Sequence, residues 1–420
     1  MDKSYILIRG GQRLTGEIEV QGSKNTVLPV LASCLLCKGV TVITRCPRIH
    51  DVFMMTAVME QIGCQITWQD HRLTVDTSEI FLKDLPLQYT GNFRASVLLM
   101  GAMLSREGYV SMGKPGGCRI GSRPIDFHLS GFEKLGAKVE EKEERYYCYG
   151  DSLLGTNIHL PFPSVGATEN ILLAAVMAQG DTEVTGCARE PEVTDLAEHL
   201  KNMGARIEGA GTDRIVIHGG EKLHPADFEV PADRIVAATY LIGAMATRGR
   251  ISLLNCGRRE RFDSVLKVLE QMGASVSAED GTIRLAMRKR MKPIELVTGP
   301  HPMAPTDIQS MILTAALYAS GPSYIEENIF ESRYQVVEEL KKMGAQIVVD
   351  GKAAKIIPVK KLCGREVNAA DLRGGAALVL AGLMAEGDTM IKSLSYLKRG
   401  YEDIAKDFWQ LGAEIIEIIR

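Results

Sequence analysis

The sequence predicts a mixed α/β protein built from six copies of one βαβαββ repeat, which divide into two domains of three repeats. A glycine that ends a helix-like segment recurs every 68 to 73 residues, as Gly63, Gly136, Gly204, Gly273, Gly344 and Gly412. Another glycine recurs in phase with it, each time after a run rich in alanine and leucine, as Gly39, Gly108, Gly180, Gly249, Gly321 and Gly387. A fixed period of this kind is the signature of a repeat architecture. In addition, 420 residues exceed what one ordinary core accommodates.

Each repeat contains two helices of different character. The first, as in residues 376–383, is apolar nearly all round, so we expect it to be buried against other helices. The second, as in residues 336–343, has a charged outer face, and its closing glycine supplies a left-handed C-cap. The strand that follows alternates, as in residues 137–140, which suits a sheet with one face in water. We therefore expect the sheets outside and the apolar helices inside.

The boundary between the two sets of three repeats falls near residues 229–233, where a new first helix follows a proline. We expect residues 21–230 to form the first domain and residues 1–20 plus 231–420 to form the second. The active site would lie in the cleft between them. The opening strands, Tyr5 to Val20, precede the first helix, and we expect them to complete the second domain as a hairpin.

The composition excludes several classes of protein. A net charge of −3 argues against a general nucleic-acid binder and a polybasic membrane-surface protein. Nine scattered cysteines indicate reduced thiols, and Cys34 and Cys37 lie in an apolar run without a second pair at zinc spacing. There is neither a secretory signal nor a membrane-spanning run. We therefore expect a cytoplasmic protein without metal or cofactor. The oligomeric state stays open, with a monomer as the expectation.

Residues 113–128 form a basic stretch that glycine and proline interrupt. Lys114, Arg119 and Arg123 surround a single thiol, Cys118. Exposed backbone N–H groups and cations favour an anionic ligand, and the same cations favour a reactive thiol. The alternative is a surface turn with a spare cysteine.

Charged residues also precede or begin the apolar helices. Ser23 can N-cap the first helix, which places Lys24 in a first turn where a cation is unfavourable unless an anion binds there. A solvated lysine is the alternative. Equivalent or neighbouring charges in other repeats are Arg94, Asp233, Asp307, Arg333, Arg373 and Arg399. For Asp307 taken alone, helix capping is the simpler interpretation. Together these residues indicate a polyanion site.

Six stretches make the chain similar to the UDP-N-acetylglucosamine enolpyruvyl transferases. These are residues 16–25, 93–96, 115–128, 164–170, 305–309 and 399–402. Proteins of that family have two inside-out α/β domains of three repeats each. They transfer the enolpyruvyl group of phosphoenolpyruvate to the 3-hydroxyl of UDP-N-acetylglucosamine in peptidoglycan synthesis, and they are targets of fosfomycin.

The resemblance implies a role for each matching residue. Lys24, Asn25, Arg123 and Arg399 would bind phosphoenolpyruvate at its phosphate, and Arg333 and Arg373 would face its carboxylate. Cys118 would protonate the vinyl carbon, Asp307 would act as the base, and Lys24 would assist catalysis. The implied UDP-N-acetylglucosamine contacts are Arg94, Arg123, Pro124, Ile125, Asp126, Phe127, Ser164, Val165, Gly166, Asp307 and Ile329.

Two alternatives to this function are enolpyruvylshikimate phosphate synthase and a non-catalytic UDP-sugar-binding paralogue. The first shares the fold and the donor but lacks the cysteine loop, and the retention of Cys118 and Asp307 argues against the second. One departure from the family pattern is Phe162, where several relatives carry a lysine near the nucleotide. A nucleotide contact at that position therefore stays open.

Overall fold

The computed structural model describes residues 4–91, 93–115, 120–121 and 123–419. These residues form two compact units, each with its own hydrophobic core. The first unit comprises residues 22–115 and 123–231, and the second comprises residues 4–21, 120–121 and 232–419. The chain begins in the second unit with strands β1 (Tyr5–Arg9) and β2 (Thr15–Glu19).

The first unit contains three repeats. The elements of its first repeat are α1 (Lys24–Ser33), β3 (Val40–Thr44), α2 (His50–Ile62), β4 (Gln65–Gln69) and β5 (Arg72–Asp76). Those of the second are α3 (Leu87–Thr90), α4 (Leu98–Glu107), β6 (Tyr109–Gly113), α5 (Asp126–Lys134), β7 (Lys138–Lys142) and β8 (Arg145–Tyr149). The third has β9 (Asn157–His159), α6 (Val165–Ala175), β10 (Asp181–Thr185), α7 (Pro191–Asn202), β11 (Arg206–Glu208) and β12 (Arg214–His218), and β13 (Phe228–Glu229) follows it.

The second unit also contains three repeats. Its first has α8 (Arg234–Ala246), β14 (Arg250–Leu254), α9 (Asp263–Gln271), β15 (Ser275–Glu279) and β16 (Thr282–Ala286). The next has β17 (Glu295–Val297), α10 (Thr306–Ala316), β18 (Ser323–Glu326), α11 (Val336–Lys342), β19 (Gln346–Asp350) and β20 (Ala353–Ile357). The last has β21 (Glu366–Asn368), α12 (Leu372–Met384), β22 (Asp388–Lys392), α13 (Ile404–Gln410) and β23 (Glu414–Ile418).

Each repeat carries one small sheet. In two repeats all four strands are local, in the orders β11-β12-β10-β9 and β17-β18-β20-β19. In these two sheets the first strand of the repeat pairs parallel with the second, and the remaining pairs are antiparallel. Three further sheets take one strand from a distant part of the chain, in the orders β13-β3-β5-β4, β15-β16-β14-β2 and β21-β22-β1-β23. The sixth sheet has the order β6-β8-β7.

The predicted N-terminal hairpin is wrong. Strand β1 lies between β22 and β23, with Tyr5 opposite Ile418, whereas β2 pairs parallel with β14, with Ile18 opposite Leu253. The opening strands therefore complete two different sheets of the second unit. This arrangement satisfies the backbone groups of two incomplete repeats instead of pairing β1 with β2.

The predicted α/β fold with inner apolar helices is confirmed. The first helices of the three repeats pack on one another in each unit, α1, α4 and α6 in the first and α8, α10 and α12 in the second. All residues of α8 are buried, as are all but Leu372 of α12. The predicted left-handed glycine caps are also confirmed, since Gly63 follows α2 with a φ of 120°.

Among the described residues, no helix combines the length and the apolar character needed to cross a membrane.

Candidate active site

In the second unit, a carboxylate lies between two guanidinium groups at the start of the inner helices. Asp307 is in the first turn of α10. Its Oδ1 accepts a hydrogen bond from Arg333 Nη2 at 2.6 Å, and its Oδ2 accepts one from Arg373 Nη2 at 3.0 Å. Arg333 begins a 3₁₀ helix before α11, and Arg373 is in the first turn of α12. We call these three residues the Asp307 triad.

The members of the Asp307 triad differ in exposure. The side chains of Arg333 and Arg373 are 2% and 6% exposed, whereas that of Asp307 is 26% exposed. Arg333 also donates to the carbonyl oxygen of Thr306. The two arginine side chains are therefore covered, and Asp307 is the member of the triad that solvent reaches.

The charges around Asp307 determine its protonation. Burial by itself would raise the pKa of Asp307, but Arg373 and Arg333, with a further contribution from Arg234, hold that pKa well below its ordinary value. Burial lowers the pKa of Arg373, whereas the Asp307 carboxylate raises it, and the net change is an increase. Asp307 is therefore a carboxylate that accepts protons poorly while both arginines contact it.

The capping interpretation of Asp307 is wrong. The N-cap of α10 is Pro305, and among the described residues no side chain caps that helix. Thr306 instead donates its hydroxyl hydrogen to Glu327 Oε2 at 2.9 Å. Glu327 Oε1 accepts a hydrogen bond from the backbone N–H of Ile329 at 2.9 Å. This bond fixes the loop that carries Ile329, which is a predicted UDP-sugar contact. Both carboxylates near the start of α10 therefore hold elements together.

Arg399 lies close to the start of α12. It ends a 3₁₀ helix (Leu397–Arg399) and is half-buried. The next residue, Gly400, approaches Leu372 so closely that a Cβ on Gly400 would lie 2.7 Å from Leu372 Cδ2. The side chain of Gln21 donates to Gly400 O at 3.1 Å and accepts from Glu402 N at 3.0 Å. The Arg399 segment is thus fixed by a residue that precedes the first helix in sequence.

In the first unit, Lys24 is the first residue of α1, and the half-buried Asn25 follows it. The predicted cap is confirmed, because Ser23 Oγ accepts from Thr26 N at 3.3 Å. Lys24 Nζ lies 2.6 Å from Asp51 Oδ2, with side-chain exposures of 13% and 4%. A buried carboxylate from the first turn of α2 therefore compensates this lysine, which is a finding against the solvated alternative.

Arg94 and the segment 123–127 lie together in the first unit. Arg94 Nη2 donates to the carbonyl oxygen of Pro124 at 3.0 Å. Arg123 is half-buried and has a φ of 46°, in the left-handed region, so the chain turns sharply there. Ile125 is buried, Asp126 begins α5 with an exposed side chain, and Phe127 is half-buried.

The predicted residues Ser164, Val165 and Gly166 form the start of α6, where Ser164 is the N-cap and its Oγ accepts from Ala167 N at 3.4 Å. All three are half-buried. Gly166 packs against the His128 ring, since a Cβ there would lie 3.2 Å from His128 Cε1.

His128 is a buried neutral imidazole in the first unit. Burial, with Arg94 and Arg123, lowers its pKa to about 3. Its Nδ1 accepts from Asn170 Nδ2 at 2.9 Å, and Asn170 also donates to Val97 O and accepts from Gly101 N. Asn170 therefore ties α6 to α4 and α5.

Some predicted residues have other outcomes. Cys118 and Arg119 lie outside the described residues, so their placement stays a prediction. Lys114 contacts Glu141 at 2.8 Å, and this hydrogen bond raises the pKa of Lys114.

Sequence reasoning missed Asp51 and Glu327, which lack a local signal. His128 and Asn170 were also missed. Both lie within the stretches that resemble the known family, and that location is the signal that could have identified them.

Three comparisons with known proteins bear on this site. The family description of EPSP synthase (3-phosphoshikimate 1-carboxyvinyltransferase) matches residues 8–408. The chain is 43% identical over 413 residues to UDP-N-acetylglucosamine 1-carboxyvinyltransferase 2 of Caldanaerobacter subterraneus subsp. tengcongensis, over 98% of this chain and 99% of that protein. It is 42% identical over 422 residues to UDP-N-acetylglucosamine 1-carboxyvinyltransferase 1 of Staphylococcus aureus, over 100% of both. Among solved structures, the enolpyruvyl transferase NikO from Streptomyces tendae matches all of both chains with a TM-score of 0.90 and 24% identity, a likeness of fold.

Proposed function

This chain belongs to the UDP-N-acetylglucosamine 1-carboxyvinyltransferases within the EPSP synthase family, and from that premise we propose its reaction and the roles of its residues. The protein is a transferase. It moves the enolpyruvyl group of phosphoenolpyruvate to the 3-hydroxyl of UDP-N-acetylglucosamine and releases phosphate, as the first committed step of peptidoglycan synthesis. It acts as a monomer in the cytoplasm. In the described part of the chain, eight cysteines are thiols and not halves of disulfides, which suits a reducing compartment.

The observation that carries the assignment of roles is the Asp307 triad. A carboxylate beside two buried arginines provides both a base and a fork of donors for an anionic substrate. In the proposed mechanism, Cys118 donates a proton to the vinyl CH₂ of the donor, and C2 becomes cationic. The sugar hydroxyl adds to C2 while Asp307 takes its proton, which gives a tetrahedral ketal. Loss of a proton from the new methyl group then expels phosphate and restores the double bond.

The cations have separate tasks in this proposal. Lys24, Asn25, Arg123 and Arg399 bind the donor phosphate and stabilise the negative charge that develops on it as it leaves. Arg333 and Arg373 bind the donor carboxylate. The UDP-sugar contacts are Arg94, Arg123 to Phe127, Ser164 to Gly166, Asp307 and Ile329. Asn170 and His128 support this set by fixing the start of α6.

A phosphate-release assay with two acceptors tests the function. We expect release from phosphoenolpyruvate with UDP-N-acetylglucosamine and none above background with 3-phosphoshikimate. Arg373→Met should raise the KM for the donor strongly, whereas Arg365→Met, an exposed arginine of the same unit, should leave it unchanged. Release with 3-phosphoshikimate alone would assign the EPSP synthase reaction instead. An inactive wild-type chain that still binds UDP-N-acetylglucosamine would indicate a regulatory binding protein.

A further inference from the structure

The Asp307 carboxylate makes the contacts that a substrate carboxylate would need. Each of its oxygens accepts from a different guanidinium group, Oδ1 from Arg333 at 2.6 Å and Oδ2 from Arg373 at 3.0 Å. Charge-assisted pairs of this kind are the usual way in which arginines bind a carboxylate in proteins. Since the proposed function assigns the same two arginines to the donor carboxylate, the two carboxylates compete for one set of donors.

The exposures of the three side chains strengthen this competition. Arg333 and Arg373 are almost completely covered, and Asp307 is the most exposed member of the triad. An incoming carboxylate that uses the same two Nη2 donors therefore takes the place of Asp307.

The local charge favours an exchange of one carboxylate for another. The triad has a net charge of +1, and Arg234 at the start of α8 adds a further positive charge that acts on Asp307. The starts of α8, α10 and α12 also carry the positive ends of helix dipoles. Removing Asp307 from the triad without replacement would leave two buried guanidinium groups without the carboxylate between them, which is costly, whereas an exchange keeps both paired.

We propose that the Asp307 carboxylate occupies the binding position of the donor's carboxylate, and that phosphoenolpyruvate displaces it from Arg333 and Arg373 and so releases the catalytic base. This inference rests on the proposed function. A base that two arginines hold cannot readily accept a proton, and its displacement by the donor restores that ability. Deprotonation of the sugar hydroxyl is thereby coupled to the presence of the donor.

Binding measurements on the full-length chain test the displacement. Calorimetry would give the Kd of phosphoenolpyruvate and of inorganic phosphate, which lacks a carboxylate. All proteins would carry Cys118→Ser, so that no covalent capture of the donor contributes. Asp307→Asn is the test variant, and Asp307→Ser replaces it if the asparagine form does not fold. Asp371→Asn is the matched control. Among the described residues, Asp371 caps α12 by accepting from the backbone N–H groups of Arg373 and Gly374, and it makes no described contact with the Arg373 guanidinium group.

We expect Asp307→Asn to bind phosphoenolpyruvate about tenfold more tightly, because the competing carboxylate is gone. The affinity for inorganic phosphate should change less than about threefold, and Asp371→Asn should change both affinities less than about threefold. Equal tightening of both ligands would show a general effect of charge and overturn the displacement. Unchanged or weaker phosphoenolpyruvate binding would overturn it too. Turnover of the wild-type chain with UDP-N-acetylglucosamine tests the proposed function separately.

Discussion

The ion pairs at the starts of the inner helices are built differently in the two units. In the first unit, Lys24 Nζ lies 2.6 Å from the carboxylate of Asp51. In the second unit, Asp307 serves two arginines. The first arrangement is neutral and nearly buried, whereas the second retains a positive charge and exposes its carboxylate. One repeat design thus provides a covered cation in the first unit and a partly exposed acidic side chain in the second.

Replacing the shared carboxylate should have the largest effect. Asp307→Asn keeps the size of the side chain but removes the proposed base, so kcat should fall by about 10² to 10⁴-fold. Phosphate release with UDP-N-acetylglucosamine measures this. Asp388→Asn, which removes an exposed carboxylate that contacts Arg9 at 2.9 Å, should retain wild-type kcat. Wild-type turnover by Asp307→Asn would reduce Asp307 to a structural ion-pair partner.

The ion pair between Lys24 and Asp51 in the first unit should contribute more to stability than an exposed ion pair with the same N–O distance. Lys24→Met leaves Asp51 buried without its lysine partner, and we expect a loss of about 3 kcal/mol in the free energy of unfolding in urea. Lys398 lies 2.6 Å from Glu417 but is 47% exposed, so Lys398→Met should cost less than about 1 kcal/mol. Similar losses for both variants would contradict the difference in burial.

A third carboxylate, Asp407 on α13, extends the comparison to a site where the hydrogen-bond donor is a tyrosine hydroxyl. Burial raises the pKa of Asp407 to about 6, and the Tyr240 hydroxyl donates to it. Because the folded chain holds this proton more tightly than the unfolded chain, where the ordinary pKa is 3.8, protonation favours folding. That contribution is complete below the unfolded pKa and is lost as the pH rises through about 6.

The measurement is urea unfolding of wild type and Asp407→Asn between pH 4 and pH 7. Wild type should lose stability relative to the variant as the pH rises. The difference between wild type and Asp388→Asn should change little over this range, because the hydrogen bond from Arg9 lowers the pKa of Asp388 and keeps its carboxylate ionised. A difference between wild type and Asp407→Asn that does not vary with pH would mean that Asp407 does not titrate in this range.

The smallest effect should come from the helix caps. Ser23 and Ser164 cap α1 and α6 in the first unit, and Asp233 and Asp371 cap α8 and α12 in the second. Ser23→Ala should lower the free energy of unfolding by about 1 kcal/mol and leave the donor KM unchanged. Thermal and urea unfolding measure the first effect, and donor titration measures the second. A large rise in the KM for the donor would contradict this, because it would mean that Ser23 takes part in donor binding and is more than a helix cap beside the Lys24–Asp51 pair.

The repeats could be predicted from the sequence because their signals are local. A glycine such as Gly63 is required wherever the chain leaves a helix in the left-handed conformation, and that requirement recurs in each repeat. The pairing of β1 and β2 could not be predicted in the same way. Tyr5 lies opposite Ile418, and an alternating strand carries no local mark of the partner that it will take.

The candidate site shows the same limit. Lys24 and Asp307 were recognisable as charges at helix starts, and the resemblance to a known family supplied their roles. The ion pairs that they form were not recognisable, because Asp51 and Arg373 are brought to them by the packing of different helices. Only the structure shows that the predicted base already contacts the arginines assigned to the donor.

The most direct test of the proposed reaction is the identity of the product formed in D₂O. Wild-type chain would be incubated with phosphoenolpyruvate and UDP-N-acetylglucosamine, and the product examined by mass spectrometry and NMR. We predict an enolpyruvyl ether on the 3-oxygen of the sugar, with deuterium in its vinyl CH₂, because the intermediate methyl group gains one solvent proton and loses one on elimination. An unmodified sugar nucleotide, or an ether without deuterium, would contradict transfer by addition and elimination.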